Sequence, residues 1–183
     1  MDNFSSRLRD SRMEFKSIRS IALCAVLAGI GMVLSAFTIR ISPSFEIGFS
    51  GVASAMIGLL FGPFMAPCAG IVTDILNYIA NPNGGFFPGF TLTAMAAGFI
   101  RGTVTYHRPV TFRRLLISEL LTAAVCSVGL NTLWLAIMYG RSTLLALPAR
   151  IAAAAALAAL NAFLVTALSK ALLRAGLMPN VRK

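Results

Sequence analysis

Apolar residues recur along this chain in runs that are long enough, or nearly long enough, to cross a lipid bilayer. The runs cover, in chain order, about residues 18–39, 49–61, 65–80, 90–104, 115–138 and 144–173. Proline, glycine, asparagine or a cluster of charges stands at each boundary, as is usual for loops. The pattern predicts an all-α membrane protein, a bundle of six transmembrane helices, with a tight turn at Gly62 and Pro63 joining the short second and third helices.

The basic residues predict how this bundle is oriented. Of the sixteen Lys and Arg residues, thirteen lie before residue 20, between residues 101 and 114, or from residue 170 onwards. Clustered Lys and Arg mark segments held on the cytoplasmic side of a membrane. We therefore expect the N- and C-termini to be cytoplasmic, together with the Gly62-Pro63 turn and the loop that begins at Arg101.

Composition assigns the whole chain to one membrane domain. Apolar residues make up 57% of the 183 residues and the mean hydropathy is +0.81, well above the values of soluble domains. The expected layout is a basic cytoplasmic tail at 1–17, a six-helix transmembrane domain at 18–175 and a cytoplasmic tail at 176–183. The net charge of +10 lies at helix ends and loops, where it meets the headgroups of the lipid bilayer, so we expect no nucleic acid partner.

The chain lacks the residue patterns of catalysis and metal binding. Its three cysteines are scattered through apolar segments and its one histidine lies in a basic loop, so neither a metal site nor a disulfide is indicated. The sequence has no glycine-rich phosphate loop, and its acidic residues occur singly rather than in the pairs that hydrolysis needs. We expect no enzyme and no cofactor on this chain.

Three predicted outward connections carry aromatic, amide and charged side chains. Aromatic faces stack on flat rings, amides and hydroxyls bind polar edges, and arginine binds carboxylates, so these groups suit a flat, anionic ligand. For the tryptophan and tyrosine, a place in the interfacial aromatic belt is the alternative. The candidate binding residues on these connections are Arg40, Glu46, Phe87, Phe90, Thr91, Asn131, Thr132, Trp134, Tyr139 and Arg141.

Arg150 is a further candidate, just after Pro148 at the predicted outer start of the sixth helix. Its side chain either extends to the headgroups or faces inward toward an anionic ligand or Glu46. Asp74, Asn77 and Asn81 share one face of the third helix and either contact a ligand or tie helices together. For Glu119 we expect a basic partner, namely Arg101, Arg113 or Arg114.

Small residues recur along the first helix at spacings that allow close helix packing. They serve either internal packing or contact with a partner subunit. The candidates for a partner interface are Ala22, Ala25, Ala28 and Gly29.

Three stretches of the chain resemble a known family. Residues 45–50 (FEIGFS), 85–91 (GFFPGFT) and 130–135 (LNTLWL), the last followed by Tyr139-Gly140, resemble the folate-specific member of the substrate-binding S components of energy-coupling factor (ECF) vitamin transporters. The resemblance implies a multi-pass protein of the bacterial cell membrane that binds folate from outside. It further implies docking on a transmembrane coupling subunit that carries two ATPase subunits, which use the ATP.

The resemblance also suggests roles for the candidate residues. Phe87, Phe90 and Trp134 would stack on the pterin, Asn131 and Thr132 would reach its polar edge, and Arg40, Arg141 or Arg150 would bind the carboxylates. Small residues of the first helix contact the coupling subunit in the family; here Ala25 is followed at four by Gly29, and Cys24 by Ala28. Another vitamin, such as riboflavin, thiamin or biotin, and a small membrane scaffold without transport function remain the alternatives.

Overall fold

The structure, a computed structural model, describes residues 4–36, 39–42, 45–80, 86–140 and 147–175. Side chains are not described at 4–5, at 39–47 or at Tyr139. The elements in these ranges are α1 (Phe4–Glu14), α2 (Ile18–Ala36), β1 (Ile39–Ser42), β2 (Phe45–Ile47), α3 (Ser50–Ala80), α4 (Pro88–Thr105), α5 (Phe112–Thr122), a π-helix (Ala123–Leu130), α6 (Asn131–Tyr139) and α7 (Leu147–Arg174).

Helices account for all six predicted apolar segments. The second and third segments form α3, and α5, the π-helix and α6 run on without interruption to form the fifth. Within the described ranges, four stretches are long and apolar enough to cross a membrane: Ile18–Ala36, Ser50–Ala80, Phe112–Met138 and Leu147–Arg174. The chain is therefore a helical protein with the character of a multi-pass membrane protein.

The structure departs from the predicted elements in three places. The short strands β1 and β2 pair as an antiparallel hairpin after α2, so the described fold is not purely helical. The predicted N-terminal tail contains the helix α1. This helix was not predicted because it is rich in charged residues and contains no apolar run. Arg101 lies within α4 and Arg113 within α5, so the predicted basic loop is shorter than expected.

Gly62 breaks α3 into the two predicted helices. Its φ of 80° and ψ of −169° belong to a region that only glycine occupies readily, and Pro63 brings no backbone N–H. The break lies against α1, where the Ser11 hydroxyl donates to the Phe61 carbonyl at 2.6 Å and accepts from the Phe64 N–H at 3.0 Å. Ser11 thus satisfies backbone groups that the interrupted helix would otherwise leave unpaired.

α1 also contacts the end of α4. The Arg7 Nη1 donates to the Thr103 carbonyl at 3.4 Å, and Tyr106 packs beneath Gly62. Burial, with the negative charges of Glu14 and Asp10, raises the pKa of Tyr106 to about 12, so this phenol stays neutral. The N-terminal segment, the Gly62-Pro63 turn and the α4–α5 connection therefore meet at one end of the bundle.

Apolar contacts hold the bundle together inside while apolar side chains also cover its outside. One buried cluster joins α2 to α3, and a second joins α3, α5 and α7. Large apolar residues along the spans are exposed, among them Val33, Val72, Ile137 and Phe163. Exposed apolar belts of this extent fit a lipid surrounding rather than water.

Gly62→Ala should destabilise the protein. A Cβ at this position would lie 2.7 Å from the Tyr106 ring and 2.9 Å from the Ser11 Cβ, and the backbone region alone costs about 1–3 kcal/mol for a non-glycine residue. Thermal unfolding in detergent measures the effect. Gly29→Ala is the matched control because a Cβ there meets nothing within 4 Å, so its melting temperature should equal or exceed the parent's. Equal melting temperatures for Gly62→Ala and the parent would contradict this account of the break.

Candidate ligand-binding site

Two adjoining cavities lie inside the bundle. The larger, about 470 Å³, is lined by α4, α5, the π-helix, α6 and α7. The smaller, about 350 Å³, lies between α2, α3, α4 and the π-helix. Both volumes fall in the range of small-molecule sites. The residues common to both walls are Phe90, Arg101, Thr122, Ser127 and Asn131.

A buried ion pair forms part of the wall between the cavities. The Arg101 Nε and Nη2 donate to the two carboxylate oxygens of Glu119 at 2.8 and 2.9 Å, and its Nη1 donates to the Ser54 hydroxyl at 2.9 Å. Arg101 is 9% exposed and Glu119 is 3% exposed. A guanidinium has five N–H groups, so these three bonds leave two for a ligand. The expectation that Glu119 pairs with a basic residue is confirmed, with Arg101 as the partner.

Asn131 carries a hydrogen-bond acceptor without a described partner, on a residue that lines the site. It follows directly on the π-helix, a rare element that is frequent at functional sites, and it lies on the walls of both cavities. Its Oδ1 is buried and has no hydrogen-bond partner among the described residues. The Thr132 hydroxyl is likewise buried without a described partner, but Thr132 is not among the residues that line either cavity. Buried polar atoms of this kind usually have a partner, which here a ligand can supply.

The predicted aromatic residues come together beside the cavities. The Phe87 ring lies 6.0 Å from the Phe90 ring and 5.6 Å from the Trp134 ring, measured between centroids. The Trp134 Nε1 donates to the Thr93 hydroxyl at 3.0 Å. Of the three predicted stacking residues, Phe90 reaches the cavity walls, whereas Phe87 and Trp134 pack on each other behind it.

The polar face of α3 lines the smaller cavity and also ties helices together. Asp74 and Asn77 both lie on its wall. The Thr91 hydroxyl donates to the Asp74 Oδ2 at 2.7 Å, and the Ser35 hydroxyl donates to the Asn77 Oδ1 at 2.8 Å. Of the two interpretations that the sequence left open, the structure confirms that Asp74 and Asn77 tie helices together, and their contact with a ligand stays a prediction.

Arg150 lies on the wall of the larger cavity, in the first turns of α7. Arg40 and Glu46 lie opposite each other in the hairpin register, but their side chains are outside the described part of the structure. Tyr139 ends α6, again without a described side chain. Arg141 and Asn81 lie outside the described residues altogether.

Several wall residues were not predicted from the sequence. Arg101 was counted with the basic residues that mark the cytoplasmic side and was not among the candidates for ligand binding. The others are small polar residues inside apolar helices, a signal that could have been followed because such residues in spans usually face the bundle interior. They are Ser54, Thr122, Ser127 and Asn161.

The small residues of α2 lie on two different faces. Ala22, Ala25 and Gly29 are exposed. Ala28 is 9% exposed and belongs to the buried cluster between α2 and α3, so it serves internal packing. Among the described residues, no group of three or more His, Cys, Asp or Glu side chains could hold a metal ion.

Known proteins with similar sequences carry folate in their names. The chain is 28% identical over 168 residues to a folate transporter, FolT, of Clostridium novyi (strain NT), covering 92% of this chain and 98% of that protein. It is 31% identical over 123 residues to the FolT of Leuconostoc mesenteroides subsp. mesenteroides, covering 66% and 65% of the two chains.

A solved structure and a family model agree with these matches. The crystal structure of a FolT bound with folic acid superposes with a TM-score of 0.75 at 30% identity, covering 85% of this chain and 95% of that one. The family model of the substrate-specific component of ECF transporters matches residues 19–181. The chain therefore belongs to the substrate-specific components of ECF transporters.

Proposed function

We propose that this chain captures folate in the membrane and delivers it to an ATP-driven ECF transporter. The observation that carries this proposal is the buried, unpaired Asn131 acceptor between two cavities that also hold arginine N–H groups. The similarity to FolT proteins, one of them solved with folic acid, selects folate among the flat, anionic vitamins.

The wall chemistry suits the two ends of folate. The pterin is a flat ring with donors and acceptors along its edge, so Asn131 accepts from the edge while the free N–H groups of Arg101 donate to it. Phe90 offers an aromatic surface for the ring. Glu119 and Ser54 hold the guanidinium in place before the ligand arrives, which reduces the ordering cost of binding.

The glutamate end of folate carries two carboxylates, for which the larger cavity has Arg150 on its wall. Asp74 lies on the smaller cavity and disfavours a carboxylate there. The charge distribution thus gives the ligand one orientation, with its carboxylates near the start of α7 and its pterin toward Arg101 and Asn131. Arg40 and Arg141 are further candidates for carboxylate contacts from the loops.

The proposal also covers the orientation of the chain in the membrane and the subunits that it binds. Six spans with both termini cytoplasmic are supported by the basic clusters and by the meeting of α1, the Gly62-Pro63 turn and the α4–α5 connection at one end of the bundle. The exposed small residues Ala22, Ala25 and Gly29 of α2 offer a flat surface to the coupling subunit. Transport energy comes from ATP on the two ATPase subunits, so this chain needs no cofactor.

Arg150→Gln should weaken folate binding by roughly 10- to 100-fold, since a hydrogen bond to a charged group is worth about 1.5–3 kcal/mol. Titration calorimetry of the purified protein measures the change. A pterin without a carboxylate, such as 6-methylpterin, should bind parent and variant alike. Arg174→Gln removes an equally charged side chain at the other end of α7 and should leave folate binding intact. Failure of the parent to bind folate would disprove the function, whereas equal folate affinity of parent and Arg150→Gln would disprove only the role of Arg150.

Asn131→Leu should change binding and stability in opposite directions. The substitution removes an acceptor that the ligand needs, so folate affinity should fall about tenfold. It also removes an unsatisfied buried polar atom from the ligand-free protein, so the melting temperature without folate should be unchanged or higher. A lower melting temperature without folate, with affinity kept, would show that Asn131 is structural.

Ala25→Trp should separate capture from delivery. Because Ala25 is exposed on α2, the large side chain meets no part of the bundle, and folate binding should persist. Folate uptake by cells that also express the coupling module should be lost, because the helices can no longer approach closely. Ala156→Trp, at an exposed position of α7, is the control and should leave both activities. If Ala25→Trp takes up folate as the parent does, this face of α2 is not the interface.

A further inference from the structure

The outer surface of α1, of the turn after it and of the start of α2 is cationic and partly apolar. The basic side chains Arg9, Arg12, Lys16 and Arg19 are exposed. Met13, Phe15 and Ile18 lie among them and are 56%, 36% and 85% exposed. We call these seven residues the N-terminal basic face. Basic and apolar side chains in alternation are typical of helices that lie in the headgroup layer of a membrane.

The side of α1 that faces the protein and its outer side carry different side chains. The inward side is occupied by Ser11, which is fully buried, and by Arg7. The acidic residues are directed at protein neighbours: the Asp10 Oδ2 lies 4.0 Å from the His107 Nδ1, and the Glu14 carboxylate accepts a hydrogen bond from the Ser20 hydroxyl. The Asp10 side chain is still 45% exposed, but Arg9 and Arg12 are the more exposed charges of α1, so its outer side is net positive.

The position of α1 places this face at the edge of the bilayer. The helix packs against the Gly62 break, beside Tyr106, and leads within a few residues into the apolar span Ile18–Ala36. Each of these contacts lies where a helix is interrupted, ends or begins: α3 at Gly62, α4 at Tyr106 and α2 at Ile18. Further exposed apolar side chains follow in the first turns of α2, where Ile21 is 43% and Leu23 is 51% exposed.

We propose that the N-terminal basic face binds anionic phospholipid headgroups, with Met13, Phe15 and Ile18 at the boundary of the acyl chains. The occupant is lipid because the face combines exposed cations, which suit anionic headgroups, with exposed apolar side chains at the start of an apolar span. α1 is then an interfacial anchor, and through Ser11 and Arg7 it ties the headgroup layer to α3 and α4, two helices of the ligand site. This inference requires only a membrane protein and does not depend on folate as the substrate.

The test compares two double variants of the full chain. Arg9→Gln/Arg12→Gln removes two exposed charges from the N-terminal basic face, and Lys170→Gln/Arg174→Gln removes two exposed charges from the end of α7. Each protein is reconstituted in mixed phosphatidylglycerol and phosphatidylcholine, extracted gently, and its retained lipids are quantified by mass spectrometry. Phosphatidylglycerol should be enriched on the parent, and each contacting cation should contribute about fivefold.

Loss of that enrichment in the first variant, with enrichment kept in the second, supports the proposal. Equal loss in both variants would mean that only net charge matters, and retention in both would mean that the face does not bind lipid; either result overturns it. Hydrogen exchange of residues 4–19 in nanodiscs is the second measurement, and it should slow when phosphatidylglycerol is added to phosphatidylcholine. Equal exchange in both lipids, with binding of the coupling module that depends on Arg9 and Arg12, would instead assign the face to a protein partner.

Discussion

The pairing of Arg101 with Glu119 is the interaction around which the interior of this bundle is organised. A charge inside an apolar bundle is costly unless its hydrogen bonds are satisfied and an opposite charge lies close by. Here the carboxylate of α5 takes two N–H groups of the guanidinium, and Ser54 of α3 takes a third. Three helices are thereby held in one arrangement at the point where the two cavities meet. The same arrangement leaves two guanidinium N–H groups without a bond to these partners, on a residue that lines both cavities.

Much of the fold was predictable because a bilayer imposes a simple length rule. Apolar runs identified the six helical segments, and the break at Gly62 followed from glycine and proline in sequence. What failed was the treatment of charge as a boundary. Arg101 was counted with the cytoplasmic basic loop but lies inside α4, where its ion pair with Glu119 keeps the charge in the bundle interior. α1 was missed for the same reason, since its stability comes from contacts with α3 and α4 rather than from its own composition.

The sequence predicted which types of residue line the candidate site better than it predicted what each residue does there. Asn131, Phe90 and Arg150 reach the cavities, as aromatic, amide and basic residues on outward connections suggested. Phe87 and Trp134 instead hold each other, because Gly89 allows their rings to approach the backbone of the first turn of α4. Spacing along a helix shows which residues share a face. It does not show which aromatic rings are covered by a neighbouring side chain, because that depends on how α4 packs against α6.

Ser11 and the break at Gly62 are separated by fifty positions in the chain, yet the serine completes the hydrogen bonding of that break. During synthesis the N-terminal helix therefore has no partner until α3 has entered the membrane. A shortened protein that begins at the first apolar span, which hydropathy alone would recommend, would discard the hydroxyl that α3 needs. It would expose the Phe61 carbonyl and the Phe64 N–H at the base of the helix pair that carries Asp74. For this chain the charged leader is part of the folded unit, and expression designs have to keep it.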